Sequence, residues 1–171
     1  MPECENPFLP DQAITVDAAV AAFTSGVAWV NHEEDVAGRL LPGVPVRPAD
    51  QVVEEASLAL LTVPDDALGP LVSGLVTAGV PVEGRLLVHA SGRHGLAVLD
   101  PATRRGALPL ALHPVMTFTG RADDLDKLAG ISFGVTAPEP LRPAAEVLVM
   151  EMGGEPVFIA EEDRDLYHAA L

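Results

Sequence analysis

Ser57-Leu58-Ala59-Leu60-Leu61-Thr62-Val63-Pro64-Asp65-Asp66 is the stretch that decides the fold. Its first seven residues form a nearly continuous apolar run of strand length, the pattern of a strand buried on both faces. Pro64 then turns the chain. Asp65 and Asp66 stand where the first turn of a helix favours negative charge, and that helix is expected to run to about Val76. Strand, polar corner, helix is the repeating unit of a parallel α/β sheet.

The same rhythm recurs on either side. Ala49–Ala56 reads as a short helix before the first strand. Arg85-Leu-Leu-Val-His-Ala90 reads as a second strand ending in Ser91-Gly92, with a short helical stretch from Gly95 to about Thr103. Ala107–Leu112 is a third strand, ending in His113-Pro114, and Ile131–Thr136 a fourth. Pro140–Met152 is an amphipathic helix stopped by Gly153-Gly154. Pro156–Ile159 is a fifth strand, and Glu161–Leu171 opens as a helix with an acidic first turn. Upstream, Thr15-Val16-Asp17 can cap a helix to about Trp29, with Val16, Val20, Phe23, Val27 and Val30 at helical spacing.

Composition narrows the partners. The chain has 171 residues, a 49% hydrophobic fraction and a formal net charge of −15. That length suits one compact domain or one domain with an appended segment. Such a field repels phosphate backbones and anionic lipid, so neither nucleic acid nor membrane is an expected partner. No apolar run is long enough to span a bilayer, and the acidic Met1–Glu5 stretch is unlike a secretory leader. The single Cys4 fits a reducing compartment, so a cytoplasmic location is expected.

In open α/β sheets ligands bind beyond the carboxyl ends of the strands, and three strand ends carry candidate chemistry. At Val63-Pro64-Asp65-Asp66 an aspartate can simply cap the next helix, or the loop can pass along a cofactor's ribose or nicotinamide side. At His89-Ala90-Ser91-Gly92 the small residues are either a plain turn or a surface that lets a planar ligand approach, with the Ser91 hydroxyl in reach. At His113-Pro114-Val115-Met116-Thr117-Phe118, His113 is either bonded to a loop carbonyl or free to orient or protonate a substrate carbonyl. His89, His94 and His113 fit no zinc spacing, and Ser91 lacks the G-x-S-x-G elbow of a hydrolase. No G-x-G-x-x-G occurs in the chain, so the glycine turn that brings backbone amides to a pyrophosphate is not encoded in the usual form.

From Leu40 to Leu171 the chain resembles Rossmann-like proteins carrying the domain of unknown function 2520. The resemblance rests on LLPGVPVRPADQVVEEASLALLTVPDDALGPLV, LLVHASGRHGLAVLDP, GALPLALHPVMTFTG, ISFGVTAPEPLRPAAEVLVMEMGGEP and EEDRDLYHAAL. These proteins are NAD(P)-dependent oxidoreductases by resemblance to pyrroline-5-carboxylate and ketopantoate reductases. The resemblance implies that Val63, Pro64, Asp65, Ser91 and Gly92 face the cofactor, NADP or NAD. It implies that Met116, Thr117 and Phe118 line the substrate side, with His113 as the catalytic candidate. It also implies a first strand and glycine loop before Leu40 and a helical dimerisation domain after Leu171. A second stretch, NPFLPDQAITVDAAVAAFTSGVAWVNHEEDVAGRL, resembles the C-terminal region of YtcJ-like amidohydrolases but holds none of their metal ligands.

The expected fold is α/β: an incomplete Rossmann-like, mostly parallel sheet over residues 41–171, with an N-terminal helical segment of different apparent origin over 1–40. The expected function is reduction of a small carbonyl or imine substrate at the expense of NAD(P)H, in a homodimer and without a metal. The alternative is a non-catalytic Rossmann-like module with weak or no cofactor binding.

Overall fold

The computed structural model describes residues 48–118 and 124–171. Helix α1 (Ala49–Glu55) leads into strand β1 (Leu58–Leu61), helix α2 (Asp65–Thr77) and strand β2 (Leu86–His89). A 3-10 turn (Leu96–Leu99) and the one-turn helix α3 (Asp100–Thr103) precede strand β3 (Leu108–Pro114). One-turn helix α4 (Asp124–Lys127), strand β4 (Ser132–Thr136), helix α5 (Arg142–Glu151), strand β5 (Glu155–Phe158) and helix α6 (Arg164–Ala170) follow.

The strands form one sheet in sequence order, β1-β2-β3-β4-β5. β1, β2 and β3 run parallel, with Leu61 beside His89 and His89 beside Ala111. β4 runs antiparallel to β3, placing Gly134 opposite His113, and β5 returns parallel to β4. The sheet is therefore mixed and mostly parallel. The reversal brings β4 back alongside the carboxyl end of β3, and His113 becomes flanked by a strand as well as by the loop after β2.

Alternating side chains divide the core into two layers, as strand geometry requires. On one face, Ala59, Leu61 and Leu87 pack against Leu68, Val72 and Leu75 of α2 and against Leu99 and Ala102. On the other, Val88, Leu110, Leu112, Phe133 and Val135 pack against Ala145 and Val149 of α5. The second layer does not reach the first strand: Leu58 and Leu60 remain 37% and 54% exposed. The β1 burial pattern thus alternates, where the apolar run alone predicts burial on both faces.

The corner after β1 differs in one detail from expectation. Pro64, with extended backbone, occupies the cap position of α2, and no side chain caps the helix. Asp65 and Asp66 lie inside the first turn, where they favour the positive end of the helix without accepting its terminal amides. The expected helix at 15–29 and the resemblance over 6–38 fall outside the described residues.

Candidate functional site

The three carboxyl ends of β1, β2 and β3 converge on one cavity of about 480 Å³. Val63 and Asp65 come from the first corner, Ser91 from the second, and His113, Met116 and Phe118 from the third. The remaining wall is largely apolar and includes Leu60, Leu112, Phe133 and Met152. Six of the nine residues singled out by sequence therefore share one cavity. Pro64 stands behind it as the helix cap, Thr117 is exposed outside it, and Gly92 lies against the imidazole of His113.

Gly92 is needed for a steric reason. A Cβ at this position would stand 2.9 Å from Nε2 of His113 and 3.0 Å from its Cε1. The imidazole thus rests on the backbone of the β2 loop, and any larger residue would push it away. Ser91 is 8% exposed, and its Oγ accepts the His94 amide at 3.0 Å, which ties the loop into a turn.

The histidines have separate tasks. His89 is fully buried; its Nδ1 accepts the Ser91 amide at 3.2 Å, so its Nε2 carries the proton donated to the Gly95 carbonyl at 2.9 Å. Burial holds its pKa down to about 4, with the Gly95 hydrogen bond opposing and Arg164 adding to the fall. It is a neutral strut of the loop. His94 bonds the Asp65 carbonyl through Nε2 at 3.1 Å and so links the first two corners. Among the described residues His113 bonds no loop carbonyl. Its Nδ1 meets the Tyr167 hydroxyl at 2.8 Å, with the rings edge-on at 87°. Burial lowers the His113 pKa, and the charges of Arg164 and His168 add to the shift while Asp65 opposes it.

Three contributors come from the last segment. Arg164 is only 2% exposed. Its Nε donates to Thr136 Oγ1 at 2.7 Å, and its two terminal nitrogens reach the Gly134, Ala111, Ser91 and Gly92 carbonyls at 3.1 to 3.5 Å. One guanidinium thereby joins β3, β4 and the loop after β2, and every acceptor is neutral. Glu161 takes the Leu96 and Ala97 amides at 2.7 and 3.0 Å, clamping the 3-10 turn. Tyr167 lies over Gly134, where a Cβ would overlap its hydroxyl. In sequence these residues sit in an acidic, polar segment that reads as a solvated helix. Arg164 between acidic neighbours carries no pattern that marks it as buried.

The cavity wall contains small and apolar residues beside one carboxylate (Asp65), two hydroxyls (Thr62 and Ser91) and one imidazole (His113), and among the described residues it has no lysine or arginine. Ala90, Ser91 and Gly92 suit the close approach of a flat ring, whereas nothing in the wall matches a pyrophosphate. Among the described residues no cluster of metal-ligating side chains forms, and no helix is long and apolar enough to cross a membrane.

Comparison with known proteins agrees with this architecture. The Rossmann-like domain family model matches residues 12–114, and the domain of unknown function DUF2520 matches 131–171. Among solved structures, the imine reductase BcSIRED from Bacillus cereus aligns with a TM-score of 0.58 at 13% identity, over 91% of this chain and 54% of that one. Protein TM1727 from Thermotoga maritima gives 0.52 at 23% identity, over 65% and 40%. An Aspergillus terreus reductive aminase in complex with NADPH and ethyl-5-oxohexanoate gives 0.51 at 15% identity, over 69% and 40%. The chain spans roughly half the length of these proteins or less. At such identities the likeness establishes the fold. No curated protein sequence matches the chain.

Proposed function

The chain belongs to the Rossmann-like domain family, and we propose that its strand-end cavity is the nicotinamide half of an NAD(P)-dependent reductase site for a small carbonyl or imine. One observation carries this reading: the cavity of about 480 Å³ gathers Val63, Asp65, Ser91, His113, Met116 and Phe118 at the carboxyl ends of three parallel strands. The NADPH in the reductive aminase complex supports the cofactor class.

The chain's residues have distinct parts in this scheme. The corner 63–65 and the Ser91-Gly92 turn flank the ring of the cofactor, NADP or NAD. A bound reduced nicotinamide supplies a hydride. Met116, Phe118 and the apolar wall around Leu112 and Phe133 hold the acceptor and exclude water, and Thr117 stands at the exposed rim. His113 Nε2 donates a hydrogen bond to the acceptor's oxygen or nitrogen, fixing the orientation of its double bond. Among the described residues the wall holds no cation, which favours an acceptor without a carboxylate or phosphate at this end.

The lack of G-x-G-x-x-G in the sequence favours a second reading, a Rossmann-like module that binds cofactor weakly and turns over nothing. The division between 1–40 and 41–171, homodimer formation and a cytoplasmic location belong to the proposal as well. A metal-dependent hydrolase draws only on residues 6–38 and has no support from the cavity. Calorimetric titration with NADPH separates the two main readings. Saturable binding followed by NADPH oxidation with a cyclic imine or small ketone supports the reductase. No saturation up to millimolar NADPH rejects it and leaves the module.

A further inference from the structure

The contact between Tyr167 and His113 joins residues 54 positions apart through the last helix of the chain. Three observations determine its polarity. First, His113 Nδ1, at 2.8 Å, is the hydrogen-bond partner of the phenol oxygen among the described residues. Second, burial raises the Tyr167 pKa despite the Gly134 amide and the Arg164 charge, so the phenol keeps its proton at neutral pH. Third, the guanidinium carbon of Arg164 lies 5.5 Å from the Tyr167 ring centre, and this buried cation opposes a second positive charge on the neighbouring imidazole. A protonated phenol beside a neutral imidazole has one proton to give, and His113 Nδ1 is the acceptor in reach.

We propose that Tyr167, seated over Gly134 and backed by Arg164, is a positioning residue that donates to Nδ1 of His113 and fixes the imidazole as the neutral Nε2–H tautomer. The opposite edge of the ring then presents Nε2–H over Gly92 at the cavity. In this arrangement His113 is a hydrogen-bond donor that keeps its proton, and the proton consumed by the reduced product comes from solvent. The consequence for turnover rests on the reductase reading; the tautomer does not.

The charged and titratable groups facing His113 are Arg164, Tyr167 and His168 on α6 and Asp65 on α2. Arg164 and His168 disfavour protonation of the ring, and Asp65 favours it. Losing the Tyr167 hydroxyl removes the donor that selects between the two neutral tautomers.

Long-range nitrogen–proton correlation spectra of the full chain, uniformly labelled with nitrogen-15, test this at the imidazole itself. In the unaltered protein at pH 7.5, His113 should show a bare Nδ1 and a protonated Nε2, without averaging between tautomers. Tyr167→Phe keeps the ring packing and should give a tautomer mixture. Gly134→Ala keeps the phenol but displaces it, and should produce the same change. A protonated Nδ1 in the unaltered protein overturns the proposal without any variant. An unchanged tautomer in both variants overturns it as well. Failed NADPH binding with the expected tautomer would reject the reductase and leave the Tyr167 assignment standing.

Discussion

The corner after β1 and the corner after β3 face the same cavity, yet they are built in opposite ways. At the first, Pro64 caps α2 without a side-chain hydrogen bond, and Leu60 is 54% exposed beside it. At the third, His113 is held by Tyr167, Tyr167 lies against Gly134, and Arg164 ties three backbone segments together. The first corner is a wall shaped by backbone and apolar contacts. The third is a connected polar network inside the protein, where low dielectric makes each hydrogen bond expensive to lose. The third corner is therefore the one whose geometry is fixed by side-chain contacts, and the first the one more tolerant of change.

Removing the centre of the network should give the largest effect. Arg164→Met strands the Thr136 hydroxyl and carbonyls of β3, β4 and the β2 loop, and should cost about 3 kcal/mol or more in urea denaturation. An unchanged urea midpoint would mean that α6 is only laid against the sheet.

Acid should weaken the same side of the molecule. Burial lowers the His89 pKa from its ordinary 6.5 to about 4 in the native state. Between those values the unfolded chain binds a proton that the native state excludes, so stability falls as pH drops from 6.5 to 4. The full loss is about 3 kcal/mol below pH 4. The lowered pKa of His113 acts in the same direction. His89→Gln, which can still donate to the Gly95 carbonyl, should flatten this decline; an equally steep decline in the variant would assign it elsewhere.

Two smaller effects sharpen the contrast. Glu161→Gln keeps one neutral acceptor for the Leu96 and Ala97 amides and should cost about 1 kcal/mol. Leu60→Ala at the first corner should change stability by no more than about 0.5 kcal/mol, because half the side chain already faces solvent. A larger loss at Leu60 than at Glu161, measured by thermal unfolding, would reverse the comparison.

The first corner was legible in the sequence and the third only in part. Apolar runs ending in small or polar residues mark the strands and their carboxyl ends, because burial in a parallel sheet demands such runs. They place Val63, Ser91 and His113 at strand ends, and the structure brings all three onto one cavity. They cannot locate Arg164 or Tyr167, whose roles come from a contact across more than 50 positions and from a helix that looks solvated by composition. The expected aspartate cap fails because Pro64 takes that place, and extended backbone at Pro64 already sets the entry angle of α2. With no G-x-G-x-x-G in the sequence, the proposed ring wall has no phosphate cradle beside it among the described residues.

Reduced nicotinamide mononucleotide carries the ring with one phosphate and no adenosine half, so it probes that ring wall most directly. Titrated into the labelled full chain, it should shift the amides of Val63, Asp65, Ser91, Gly92 and His113 with one common saturation curve. Shifts confined to other regions, or none up to the solubility limit of the nucleotide, would contradict the assignment of the strand-end cavity to a nicotinamide.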